Sequence, residues 1–253
     1  MEVGYAVLYE DGELVISKNH TLLQKSIIKD YCEFEDTDVP WKNNDFYKIK
    51  RIRILDQVRT MYMSDWFKDC INLTTLINFK NLDVSDCTDF SCMLERCKSL
   101  KDLNELQNWN VSNGTNFLRM FASCESLKNP NGLQNWNVSN GTNFNNMFFN
   151  CKSLQDLNRL QNWNVSNGTD FSLMFSGCKS LKNINELKNW NIRNCTDFLK
   201  MFAYCTSLQK ISLPNTLYIL TKDMFYNCNP TLKIHWKNHT YTYADLLEYK
   251  TIS

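Results

Sequence analysis

Seven cysteines set the frame of this chain. Cys70, Cys97, Cys124, Cys151, Cys178 and Cys205 follow one another at intervals of 27 residues, and Cys228 comes 23 residues after the last of them. The text between them also returns: WNVSNGTNFLRMFASC, from Trp109 to Cys124, recurs with few changes from Trp136, Trp163 and Trp190. A fixed period of this length describes a stack of coils, each of which buries its apolar face only against its neighbours. The expected architecture is therefore a solenoid, in which one repeated unit has to account for core, turns and surface together.

Within a unit, Thr115, Thr142, Thr169 or Thr196 precedes an apolar set that in the second coil is Phe117, Met120, Phe121 and Cys124. The spacing i, i+3, i+4, i+7 predicts about two turns of helix with these residues on one face, and Thr115 stands where its hydroxyl would accept from a free amide as an N-cap. After the cysteine, Leu100, Leu103 and Leu106, then Trp109 and Val111, predict an extended segment pointing inward. Asn113-Gly114 turns the chain back, since both residues enter left-handed conformations cheaply.

The ends differ from the repeats. Val3 to Tyr9 and Glu13 to Ser17 flank Asp11-Gly12 and read as a hairpin. Asn19 to Tyr31 is expected to form a short helix, and Tyr47 to Leu55 a strand leading into the coils. The first coil is degenerate, with Trp66 where later coils have methionine and Leu82 where they have tryptophan. At the other end Leu232 to Trp236 predicts a last strand, Asn238 to Tyr243 a loop, and Ala244 to Tyr249 a covering helix. The expected division is a β-rich cap over residues 1–60, repeats over 61–228 and a second cap over 229–253, because an end coil left bare would expose its core.

The pattern MFxxCxSLxxLxxLxNWNVSNxT closely resembles the BspA-type, DUF285-like leucine-rich repeat of bacterial surface proteins. The resemblance covers about Trp66 to Ile234, and CTSLQKISLPNTLYILTKDMFYNC resembles the shorter variant of the repeat. It implies an α/β repeat fold: a right-handed leucine-rich-repeat solenoid with short parallel strands on one side and short helices or turns on the other. It also implies binding, often adhesion, and brings no catalytic residues.

The chemistry-bearing residues have structural readings. Free cysteine packs as a small apolar residue, and the cysteine ladder is expected to be buried thiol; Cys92, read as facing out, is the thiol most open to reaction, with an inert residue as the favoured reading. Trp109, Trp136, Trp163 and Trp190 each share a strand face with an apolar residue two positions on, which predicts core rather than a sugar platform. The flanking Asn108 and Asn110 and their copies should then face outward and bond from coil to coil. Ten Asn-x-Ser/Thr sequons occur, and the turn and cap chemistry of the coil accounts for most of them. Enzyme templates (a phosphate-binding glycine loop, HExxH, GxSxG) are missing from the sequence, so no catalysis and no cofactor or metal is expected. A net charge of +1 offers no basic excess for nucleic acid, and no apolar run suggests membrane insertion. The N-terminus shows no secretory signal, which makes the cytoplasm the default compartment, with the cell surface suggested by the resemblance.

What varies between coils points to function. The outward candidates in the leucine segments are Lys101, Asp102 and Glu105; Lys128 and Asn129; Gln155, Asp156 and Arg159; and Lys182, Asn183 and Glu186. Together they are expected to form a mixed-charge face roughly 30 Å long at the strand spacing, suited to a protein partner. Pro130 in place of leucine predicts a local break in that face. A carbohydrate-binding surface protein and a self-assembling structural subunit are the alternatives.

Overall fold

The structure, a computed structural model, describes residues 3–20, 23, 25–31, 34–35, 38–42, 45–249 and 251–252. β1 (Val3–Tyr9) and β2 (Glu13–Ser17) form the expected antiparallel hairpin. β3 (Ile27–Asp30) and β4 (Phe34–Glu35) also pair with β1, and β5 (Arg51–Ile54) runs parallel to β2. The expected helix over Asn19 to Tyr31 is thus corrected: its later part is a strand, and Thr21, Leu22 and Gln24 lie outside the described residues. Backbone bonding to β1 outweighs a weak helical pattern. The strand expected from Tyr47 begins at Arg51, after a 3-10 turn over Phe46–Lys48.

The sheet crosses directly into the coils. β6 (Val58–Arg59) pairs in parallel with β8 (Leu82–Asp83), and β7 (Thr75–Ile77) pairs in parallel with β5. At the far end β9 (Asn183–Ile184), β10 (Lys210–Ser212) and β12 (Lys233–Trp236) are parallel neighbours. β11 (Leu220–Thr221) pairs with β14 (Thr251–Ile252). β13 (His239–Thr242) turns back on β12, so the loop expected at 238–243 is a strand, and α1 (Tyr243–Tyr249) follows it as expected. These sheets are open. Between them, Tyr62, Asp89, Asn116, Asn143, Asp170 and Asp197 form a chain of single parallel bridges at one residue per coil.

The two expected sides of the coil depart from expectation in an informative way. The segment carrying Phe117 to Cys124 is a ribbon of consecutive turns and contains no helix. Met120, Ala122 and Cys124 donate to the carbonyls of Phe117, Arg119 and Phe121 at 3.0–3.3 Å. The alternate amides of Phe117, Arg119, Phe121 and Ser123 instead donate to Asn143, Asn145, Met147 and Phe149 of the next coil, at 2.6–3.0 Å. That alternation requires left-handed residues, and Arg119 (φ 53°) and Ser123 (φ 59°) supply them, as Asn146 and Asn150 do one coil later. Phe117, Met120, Phe121 and Cys124 are all fully buried, so the inward face was correctly placed on the wrong backbone. The leucine segment holds short strands only near the two ends of the stack; it bends through 3-10 turns at Asn104–Leu106, Asn158–Leu160 and, just after β9, Glu186–Asn189. Leu100, Leu103 and Leu106 point inward nonetheless.

Thr115 is not a cap. Its hydroxyl donates to the carbonyl of Thr88 at 3.2 Å, and Thr142, Thr169 and Thr196 repeat the bond down the stack. Gly114 is not left-handed either. It is glycine because a Cβ there would lie 2.6 Å from the Phe117 ring; the same contact at Gly141 and Gly168 is 2.4 Å. One apolar cluster runs from Ala6 through every coil to Leu246.

Candidate interaction surface

The interior accounts for the residues that looked chemical in the sequence. The indole N–H groups of Trp109, Trp136, Trp163 and Trp190 donate to the carbonyls of Phe79, Leu106, Leu133 and Leu160 at 2.8–3.0 Å. All four tryptophans are buried, and Trp109 stacks on Trp136 with ring centroids 6.4 Å apart. The ten described cysteines are free thiols. From Cys97 to Cys228 each ladder thiol donates to a carbonyl of the preceding coil, Cys124 to Leu94 at 3.3 Å and Cys151 to Phe121 at 3.1 Å among them. Burial pushes Cys124 up to about 12 and Cys151 well above the ordinary thiol value. Cys92, the thiol most open to reaction by its place in the sequence, is half-buried, and burial together with the neighbouring Glu95 carboxylate raises it to about 12. A thiol so disfavoured as thiolate is a poor nucleophile, in keeping with the inert reading.

The asparagines exchange roles. Asn108 and Asn110 are exposed as expected, but Asn110 accepts from the amide of Ser112 in its own coil, and Asn137, Asn164 and Asn191 repeat that local turn. The bonds between coils come from Asn113, Asn140, Asn167 and Asn194, whose side-chain amides donate to Ser85, Ser112, Ser139 and Ser166 carbonyls at 2.8 Å. These four are also sequon asparagines, already engaged in holding the stack.

The outward candidates fall into two kinds. Lys101, Asp102, Glu105, Lys128, Gln155, Arg159 and Lys182 are exposed, while Asn129, Asp156 and Glu186 are half-buried. Of Asn183 only the backbone is described, paired with Lys210. Asp102, Asn129 and Asp156 stand at one position of successive coils and accept the amide two residues on, from Asn104, Asn131 and Asn158 at 3.1–3.3 Å. Glu105 accepts the amide of Phe79 at 3.1 Å, and Glu186 that of Asn185 at 2.8 Å. These acids and amides maintain the coil as well as facing outward, so the premise that outward positions are free holds only for part of the set. Lys101, Lys128, Gln155 and Lys182 form the column that is exposed at one repeated position, its backbone joined by Gln155 to Lys128 at 2.8 Å and by Gln209 to Lys182 at 2.7 Å.

Pro130 does not break the turn, because Leu133 donates to its carbonyl at 3.1 Å much as Leu106 donates to Leu103. Its neighbourhood is nevertheless a recess of about 360 Å³, lined by Asn129, Asn131, Asp156, Asn158 and Arg159. Arg159 Nε donates to Asn131 Oδ1 at 2.9 Å across it. Another row of charge escaped the sequence reading: Glu125 lies between Lys98 at 3.4 Å and Lys152 at 2.7 Å, and the Lys152 hydrogen bond outweighs burial to hold the Glu125 carboxyl below its usual range. Its register, Lys98, Glu125, Lys152, is the 27-residue period itself, and that spacing could have revealed it.

The family model described as "Mycoplasma protein of unknown function, DUF285" matches residues 41–156 and 126–235. The chain belongs to that family. It is a BspA-like leucine-rich-repeat protein. No curated protein is significantly similar to it. Among solved structures, a leucine-rich repeat protein from Bacteroides ovatus is 14% identical, with 93% of this chain and 77% of that one covered at a TM-score of 0.32. A leucine rich cell surface protein from Faecalibacterium prausnitzii is 15% identical, with 91% and 86% covered at 0.25. Among the described residues no helix is long and apolar enough to cross a membrane, and the cytoplasmic default finds no support.

Proposed function

We propose that this DUF285 chain is a non-catalytic module that binds another protein through the face containing Lys101, Lys128, Gln155 and Lys182, with Asp102, Glu105, Asn129, Asp156, Arg159, Asn183 and Glu186 beside them. The observation that carries the reading is the lysine column: long, exposed, charged side chains repeated at one coil position on a scaffold whose other polar groups are mostly bonded internally. Solenoids bind along such extended faces. The coils are read as a right-handed leucine-rich-repeat solenoid over 61–228 between caps at 1–60 and 229–253, and its family favours a place at the cell surface. The carbohydrate alternative loses its aromatic platform, because the tryptophans lie in the core with their N–H groups bonded to the backbone.

Charge reversal at Lys101, Lys128 and Lys182 tests this reading. Cross-linking capture from the native host should fall about tenfold, as expected when several rim charges change sign, while the thermal melt stays in place. Capture that survives the triple reversal removes the face from consideration. A mass that rises with concentration in the absence of any partner would favour the self-assembling subunit.

A further inference from the structure

Beyond the lysine column, where β9, β10 and β12 end, a polar cleft of about 520 Å³ opens at the C-terminal end of the same face. Lys188 enters it from the segment after β9, His235 from β12, and Lys237 and His239 from the hairpin joining β12 to β13. None of the eleven residues lining it carries a carboxylate. His235 Nδ1 pairs with Thr240 Oγ1 at 2.7 Å, and His239 Nδ1 lies 2.9 Å from the Lys237 carbonyl. A carbonyl only accepts, so His239 Nδ1 carries a proton. Next to the cleft, Lys210 and Lys233 stand opposite each other on β10 and β12, an arrangement of like charges that is unfavourable until an anion joins it.

The floor of the cleft adds an independent observation. Trp236 is 2% exposed, and its indole N–H is buried without a hydrogen-bond partner. The four ladder tryptophans all donate to a carbonyl, and a buried donor with no acceptor is uncommon. Lys237 Nζ lies 4.3 Å from the centroid of the Trp236 ring and covers it.

We propose that this cleft receives the acidic side chains of a partner polypeptide, with Lys188 and Lys237 as its cationic donors. The proposal rests on the protein-binding reading and names the chemistry of the partner.

The test uses the full chain and two fluorescein-labelled hexapeptides, one of alternating Asp and Glu and one of alternating Asn and Gln, followed by fluorescence anisotropy. The acidic peptide binds, the neutral one does not, and binding weakens between about 50 and about 300 mM salt as screening grows. Lys188→Glu with Lys237→Glu lowers affinity for the acidic peptide by about tenfold or more, a size typical of lost charge pairing. Lys188→Gln with Lys237→Gln serves as a milder pair if the reversals melt early. Equal binding of both peptides, unchanged binding by the variants, or complete displacement by millimolar inorganic phosphate overturns the assignment, the last by making the cleft a small-oxyanion site. Neither lysine belongs to the column tested above. Capture that depends on Lys101, Lys128 and Lys182 but ignores Lys188 and Lys237 therefore leaves the protein-binding reading standing and removes this one.

Discussion

Raising the pH should unfold this protein through its cysteine ladder. Burial holds Cys124 at about 12 against an ordinary 9.0. In the unfolded chain at pH 10 about nine-tenths of such a thiol is ionised, and in the folded chain about a hundredth. A group whose folded value is raised contributes stability that is complete below its unfolded value and is lost as pH rises toward its folded one. The loss for Cys124 is therefore about 1.4 kcal/mol at pH 10 and grows by about 1.4 kcal/mol for each further unit until pH 12. Cys97, Cys151, Cys178 and Cys205 are equally buried and are pushed well above the ordinary value. Their loss adds to that of Cys124 in the same direction, against the ~5–15 kcal/mol that holds a typical domain folded. Urea denaturation from pH 8 to pH 11 should show stability falling steeply above pH 9. Cys124→Ala should make that slope shallower by about 1.4 kcal/mol per pH unit; tyrosine ionisation is common to both chains and cancels in the difference. An identical slope in the variant, or ladder thiols that react with iodoacetamide at pH 8 as fast as free cysteine, would refute the reasoning.

Three further outcomes follow from the packing. Gly141→Ala places a methyl 2.4 Å from the Phe144 ring and 3.0 Å from the Val138 carbonyl, and should lower stability by about 1–3 kcal/mol, read as a fall in the thermal midpoint. Trp163→Phe keeps the stack but removes one of the two donors to the Leu133 carbonyl, the indole at 2.9 Å, and leaves the Trp136 amide at 3.2 Å; a loss of about 0.5–1.5 kcal/mol is expected in chemical denaturation. Truncation after Cys228 removes β12, β13 and α1 from the last coil, exposing Ile211 and Leu208, which are fully buried in the whole chain. That fragment should aggregate in sizing chromatography, and a soluble monomer would contradict the capping role proposed for the tail.

The period, the inward face and the fate of Trp109 and Cys124 were legible because burial follows side-chain type and spacing, and both are written in the sequence. The backbone beneath them was not legible. Phe117, Met120, Phe121 and Cys124 meet a helical template, yet the amides of Phe117, Arg119 and Phe121 bond to a coil 26 residues further on, and a non-local acceptor leaves no trace in local periodicity. Thr115 and Asn113 misled for the same reason: each has a good local use as cap or turn, and each instead reaches the previous coil. Seven of the eleven outward candidates are exposed, but the amide bonds that occupy Asp102, Glu105 and Asp156 depend on backbone that the sequence did not reveal. The cleft of Lys188, Lys237 and His235 draws on separate segments of the last coils and the cap, so no single motif could announce it.

The threonine hydroxyls, the asparagine amides and the ribbon amides join each inner coil to the next by the same set of bonds. The joints are therefore interchangeable. Deleting residues 114–140 would connect Asn113 to Gly141, restoring the text WNVSNGTNF at the junction and remaking each of those bonds with an equivalent partner. Recombination between near-identical coding segments can then shorten or lengthen the chain in whole coils, each moving the far cleft by about 5 Å relative to the N-terminal sheet. The repeat is a ruler with replaceable graduations, and the distance between its two ends can evolve without the design of a new core.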